Sequence, residues 1–87
     1  MPLFFFDVQD GGTTYTDEFG VELDTVDEAA GQALALLPDL ARDRVPDGPP
    51  HDFAVTVRDA GGAVVHRASL LLRGGWVGGA VPADRAG

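Results

Sequence analysis

Only one stretch of this 87-residue chain carries a helical pattern, Thr25 to Arg44, and every other segment must be arranged around it. Thr25 followed three positions later by Glu28 is a capping-box signature, in which the threonine oxygen takes a first-turn amide and the glutamate reaches back toward the cap. Asp27 and Glu28 lie at the positive end of the helix dipole and Arg42 and Arg44 at the negative end, so both termini are favourably charged. Val26, Ala30, Ala33, Leu34, Leu37, Leu40 and Ala41 recur at intervals of three and four, predicting one buried stripe with Asp27, Gln32, Asp39 and Asp43 in water. Pro38 removes one backbone donor from this helix, so a kink is expected there in a helix spanning about 26–44.

The remaining segments read as strands. Leu3 to Val8 is short and rich in aromatic residues, with Phe4, Phe6 and Val8 facing the helix and Leu3, Phe5 and Asp7 facing away. Gly11-Gly12 supplies the positive φ values of a tight hairpin, which pairs Val8 with Tyr15 and Gln9 with Thr14 and makes Thr13 to Thr16 the second strand. Asp17-Glu18-Phe19-Gly20 is a turn that leads through Val21 and Leu23 to the helix cap. After the helix, Pro46 to Pro50 stops regular structure, and Asp52 to Asp59 alternates with Phe53, Val55 and Val57 on one face. A second hairpin at Asp59 to Gly62 leads into Ala63 to Arg73; pairing Arg58 with Ala63 sets Val57 opposite Val64, Val55 opposite His66 and Phe53 opposite Ala68.

Two hairpins around one helix give an α+β fold of ββαββ order, a four-stranded, mostly antiparallel sheet with the helix on one face. Its most apolar strands, the first and the fourth, are the expected central pair. Residues 1–73 form the single domain, and the glycine-rich 74–87 is expected to be a flexible tail that only Trp76 could anchor.

Charge and chemistry exclude more than they identify. The net charge is −8, and residues 1–41 hold nine acids and no basic side chain. That acidity opposes nucleic acid and suits a solvated face or a basic partner. The chain has no cysteine, hence no disulfide or thiolate metal site, and its N-terminus lacks a signal-peptide pattern; a cytoplasmic protein without membrane association is expected. Asp7, Asp10 and Asp17 could converge, but their spacing is not that of a calcium loop, and the plainer reading is that Asp10 serves its turn while Asp7 and Asp17 are solvated. His66 falls on the apolar face without a sequence-placed carboxylate or nucleophile, and His51 belongs to the exposed proline loop. No catalytic residue, metal or cofactor is therefore expected. The candidate interaction surface is the sheet face away from the helix, through Leu3, Phe5, Val65, Arg67 and Leu71, because one helix covers only one side.

The runs FFFDVQDGG, DEFGVELDTVDEAAGQAL, LARDRVPDG and VTVRDAGGAVVHRASLLL resemble a family of short alphaproteobacterial proteins known only as a domain of unknown function. The resemblance covers about residues 1–73, apart from Pro38 and the tail, and implies no activity. A shorter stretch, Gly20 through Leu34, is similar to HicB-like antitoxin domains at the level of fold. The expected function is a small non-catalytic interaction module, a homodimer or an accessory to a protein partner, with an antitoxin-like regulator of a toxin or nucleic acid as the alternative.

Overall fold

The computed structural model describes residues 2–42 and 50–79. In chain order its elements are β1 (Leu3–Asp10), β2 (Thr13–Tyr15), β3 (Val21–Glu22), α1 (Val26–Arg42), β4 (His51–Arg58) and β5 (Val64–Leu72). This is the expected α+β, helix-on-sheet architecture with one added short strand, β3, which pairs with Leu3 and Phe4 of β1. The helix is continuous through Pro38, as expected, and runs to Arg42; Asp43 and Arg44 lie outside the described residues.

All pairings are antiparallel, in the order β2-β1-β4-β5. The central pair is thus β1 and β4, and the last strand, expected beside β1, lies at the edge. The apolar content of β5 was a poor guide because Val64, Val65 and Leu71 are exposed, whereas Phe53, Ala54, Val55 and Val57 of β4 are all buried. A strand with neighbours on both sides and a helix above it must bury even its small outward residues.

The first hairpin has the predicted register, Val8 opposite Tyr15 and Gln9 opposite Thr14, but of its two loop glycines only Gly11 takes a positive φ, 62°. The second does not. The Asp59 amide donates to the Ala63 carbonyl, the Asp59 carboxylate accepts the amides of Gly61 and Ala63, and Gly62 takes φ 90°, which makes the loop shorter than expected. Continued regularly, that loop would turn Val65 and Arg67 toward the core. A bulge prevents this: Arg58 pairs with Val64 but Val57 with His66, leaving Val65 as the extra residue. Val55 then meets Ala68 and Phe53 meets Leu70, so the apolar face is preserved two residues further along than predicted.

The helix is rotated relative to the expected stripe. Its buried residues are Ala29, Ala33 and Leu37, with Leu36, Leu40 and Ala41 packed at the margin, while Val26 and Leu34 are exposed and Ala30 is half-buried. The sheet supplies the bulk, since Phe4, Phe6 and Phe53 project toward α1, and alanines on the helix let those rings fill the space between layers. The N-terminal cap forms with one change: Thr25 Oγ1 accepts the Glu28 amide at 3.2 Å, but the Glu28 carboxylate takes the Asp24 amide at 3.2 Å.

Two substitutions separate the observed face from the expected one. Leu37, 4% exposed, should lose about 2–5 kcal/mol of stability when changed to Ala, whereas Leu34→Ala, at a site 56% exposed, should stay within about 0.5 kcal/mol. Equal losses in urea denaturation would place both side chains in the core. Trp76 is 60% exposed, so truncation after Gly74 should leave the thermal midpoint within about 2 °C. A larger drop would reveal packing of the tail on the domain.

Candidate functional site

The sheet face opposite the helix is organised by Arg58, at the C-terminal end of β4. Its cross-strand neighbour on β1 is Phe5, and its guanidinium carbon lies 5.0 Å from that ring's centroid. From there it forks onto Asp7, Nε to Oδ2 at 2.6 Å and Nη2 to Oδ1 at 3.0 Å, and Nη2 also reaches the backbone oxygen of Asp17 at 3.1 Å. The two side chains are only 27% and 16% exposed, so water screens this pair less than a surface ion pair.

Asp17 carries the arrangement into the turn between β2 and β3. Its amide donates to Asp7 Oδ1 at 2.9 Å, its Oδ2 accepts the Phe6 amide at 3.1 Å, and its Oδ1 accepts the amides of Phe19 and Gly20 at 3.0 and 3.1 Å. The Phe6 bond supplies an acceptor at the stretch of β1 between the residues that β2 and β3 pair. Gly20 closes the turn at φ 77°, where an added Cβ would stand 3.0 Å from Leu3 Cγ and 3.1 Å from Phe5 Cε1. Glycine is required there by conformation and by space.

The electrostatics follow from these contacts. The Arg58 hydrogen bond holds Asp7 below its ordinary value of 3.8, assisted by the Asp17 amide and against the cost of burial. For Asp17, burial is the largest single influence and pushes upward, but the amides of Gly20, Phe6 and Phe19, with the Arg58 charge, outweigh it and the net direction is down. The reading of Asp7 and Asp17 as solvated carboxylates is thereby corrected: their oxygens are committed to Arg58 and to backbone amides. Asp10 is separate and contacts the imidazole of His51. Among the described residues no group of three His, Cys, Asp or Glu side chains is placed to hold a metal ion.

His51, expected in an exposed loop, is instead the first residue of β4, half-buried, with its ring 4.7 Å from that of Phe53. His66 faces Val57 rather than Val55, and its buried Nε2 has no hydrogen-bond partner among the described residues.

The five residues expected to share one patch are divided by β4. Leu3 and Phe5 lie half-buried on β1 against the Gly20 turn and Arg58, so Phe5 does not stand in water. Val65, Arg67 and Leu71 lie on β5, where Val65 and Leu71 are exposed and Arg67 donates across the sheet to Gln9 Oε1 at 2.8 Å. Sequence reasoning missed the role of Asp17. The signal was present in Asp17-x-x-Gly20, an aspartate three residues before a glycine, whose side chain can organise a turn through its own downstream amides.

Residues 3–71 match the family described as a domain of unknown function, DUF6894. The chain belongs to this family. The match spans β1 through nearly all of β5 and includes the whole Asp7–Arg58–Asp17 cluster. No curated protein and no solved structure matches the chain, so the similarity to HicB-like antitoxins has no support from these comparisons.

The lowered values of Asp7 and Asp17 predict a specific acid sensitivity. Stability from a depressed carboxylate is fully present above its unfolded value, here 3.8, and is lost as the pH falls through the folded value. Asp17→Asn should therefore show a shallower loss of urea stability than the unmodified chain between about pH 5 and pH 2. Parallel curves for the two proteins would mean that Asp17 has the same pKa folded and unfolded.

Proposed function

We propose that the protein is a small, non-catalytic interaction module of the cytoplasm that docks a basic protein partner through the Asp17–Gly20 turn. The observation that carries this reading is Phe19, 88% exposed at the tip of a turn whose own amides are pinned by Asp17. A large apolar side chain in water is ordinary when it stands on a floppy segment. Here the backbone beneath it is fixed through Asp17, Asp7 and Arg58 to the centre of the sheet, which lowers the ordering cost of inserting the ring into a socket.

The surroundings favour one charge class of partner. Glu18, Glu22 and Asp24 lie within five residues of Phe19 along the chain and are exposed, and Arg58, which reaches the Asp17 backbone, is occupied by Asp7. A socket rimmed by lysine or arginine complements this surface, whereas phosphate backbones are repelled. The non-catalytic part of the reading rests on the same bonds, since the polar groups gathered on this face are spent on holding the turn. The cytoplasmic location is supported by a cysteine-free chain that needs no oxidising compartment, and no helix among the described residues is long and apolar enough to cross a membrane.

Phe19→Ala tests the reading. The substitution should leave the thermal midpoint within about 2 °C and weaken capture of basic proteins from the source cells by about thirtyfold or more. That capture should also be lost as salt is raised. Equal retention by the two chains, or retention insensitive to salt, would remove Phe19 and its acidic rim from the interface.

A further inference from the structure

The outer edge of β5 points to a second contact, on a different surface and independent of the Phe19 turn. Among the described residues nothing pairs with the outer edge of β5, a nine-residue strand with the sequence VVHRASLLL. Exposed edges are ordinarily guarded by short length, proline, bulges or outward charges. The bulge at Val65 guards only the start of β5, and its pairing with β4 is regular from His66 to Leu72. The strand's one charged side chain, Arg67, reaches back over the sheet to Gln9 Oε1, away from the edge it could protect.

We propose that β5 pairs antiparallel with β5 of a second copy of this chain, with the two-fold axis at Ala68, to form one continuous sheet across the dimer. Charge permits a contact along this edge. Two molecules of net charge −8 repel unless they meet where acids are missing, and residues 60–83 contain none. Register then selects the axis. Centring on Ala68 sets Val65 opposite the partner's Leu71. It also sets His66 opposite the partner's Leu70 and Arg67 opposite the partner's Ser69. On the outer face apolar meets apolar and polar meets polar. Centring on Arg67 would oppose two guanidiniums, and centring on Ser69 would set Arg67 against the partner's Leu71 and Val65 against the partner's Arg73. The chosen axis also covers Val65 and Leu71, which α1 on the opposite face cannot reach.

A chain without cysteine makes the register directly testable. Arg67→Cys and Ser69→Cys chains, oxidised as a mixture, should give at least about ten times more cross-linked dimer than either alone, because only unlike positions face each other. Sedimentation equilibrium of the full chain should give twice the monomer mass. Leu71→Glu should keep the circular dichroism spectrum and raise the dimer dissociation constant about thirtyfold or more, by burying an unpaired charge. A monomer at every concentration up to about 1 mM would overturn the proposal. So would a dimer unaffected by Leu71→Glu, or Ser69→Cys cross-linking to itself as readily as the mixture does.

Discussion

One helix covers one face of this sheet, and the other face has to be made tolerable in water without a second layer. α1 buries Phe4, Phe6, Phe53, Val55 and Val57 beneath Ala29, Ala33 and Leu37. That leaves β1 and β4 with outward side chains that are too enclosed for free charges and too wet for a core. The solution is a fixed polar network. Arg58 lies over Phe5 and forks onto Asp7, so its planar face covers an aromatic ring while its edge satisfies a carboxylate. A lysine could supply the charge but neither the two-pronged bond nor the stacking surface.

The same network fixes the chain between β2 and β3. A sheet interrupted along one edge of β1 leaves backbone groups without ladder partners, and each costs free energy unless something else accepts or donates. Asp17 takes the Phe6 amide and two amides of its own turn, and its backbone joins Asp7 and Arg58. Four acceptor bonds and one guanidinium thus connect β1, β4 and the turn. The acid-rich first half of the chain is therefore more than a soluble surface: Asp7, Asp10 and Asp17 are structural, whereas Glu18, Glu22 and Asp24 remain for solvent or a partner.

What could be read from the sequence was whatever is decided within a few residues. The glycine pair of the first hairpin, the threonine cap of the helix and the two-residue alternation in β1 and β4 are local signals, and each is observed. The errors arose where distant parts of the chain compete. Strand order depends on which strand can lose water on both faces, and the small outward residues Ala54 and Thr56 equip β4 for the centre better than the exposed Val64, Val65 and Leu71 equip β5. The helix face was misread because Val26 and Leu34 are larger than Ala29 and Ala33; the sheet's rings had already filled the volume, so small residues were needed opposite them. Asp7 and Arg58, 51 positions apart, become neighbours only once β1 and β4 pair.

Gly20 joins these threads. Its positive φ bends the chain so that Asp17 can reach back to Phe6, and its missing side chain lets the turn settle against Leu3 and Phe5. Any Cβ there would need those side chains to shift while also occupying a backbone region that L-residues adopt at a cost. Strain at Gly20 would act first on the turn rather than on the core, because Leu3 and Phe5 project away from α1. The Asp17 amide acceptors, the Arg58 contact with the Asp17 backbone and the orientation of Phe19 all depend on that one bend. The surface that presents Phe19 and the polar network that protects Phe5 are therefore a single mechanical unit, and the sheet's exposed face is built from the turn inward as much as from the strands outward.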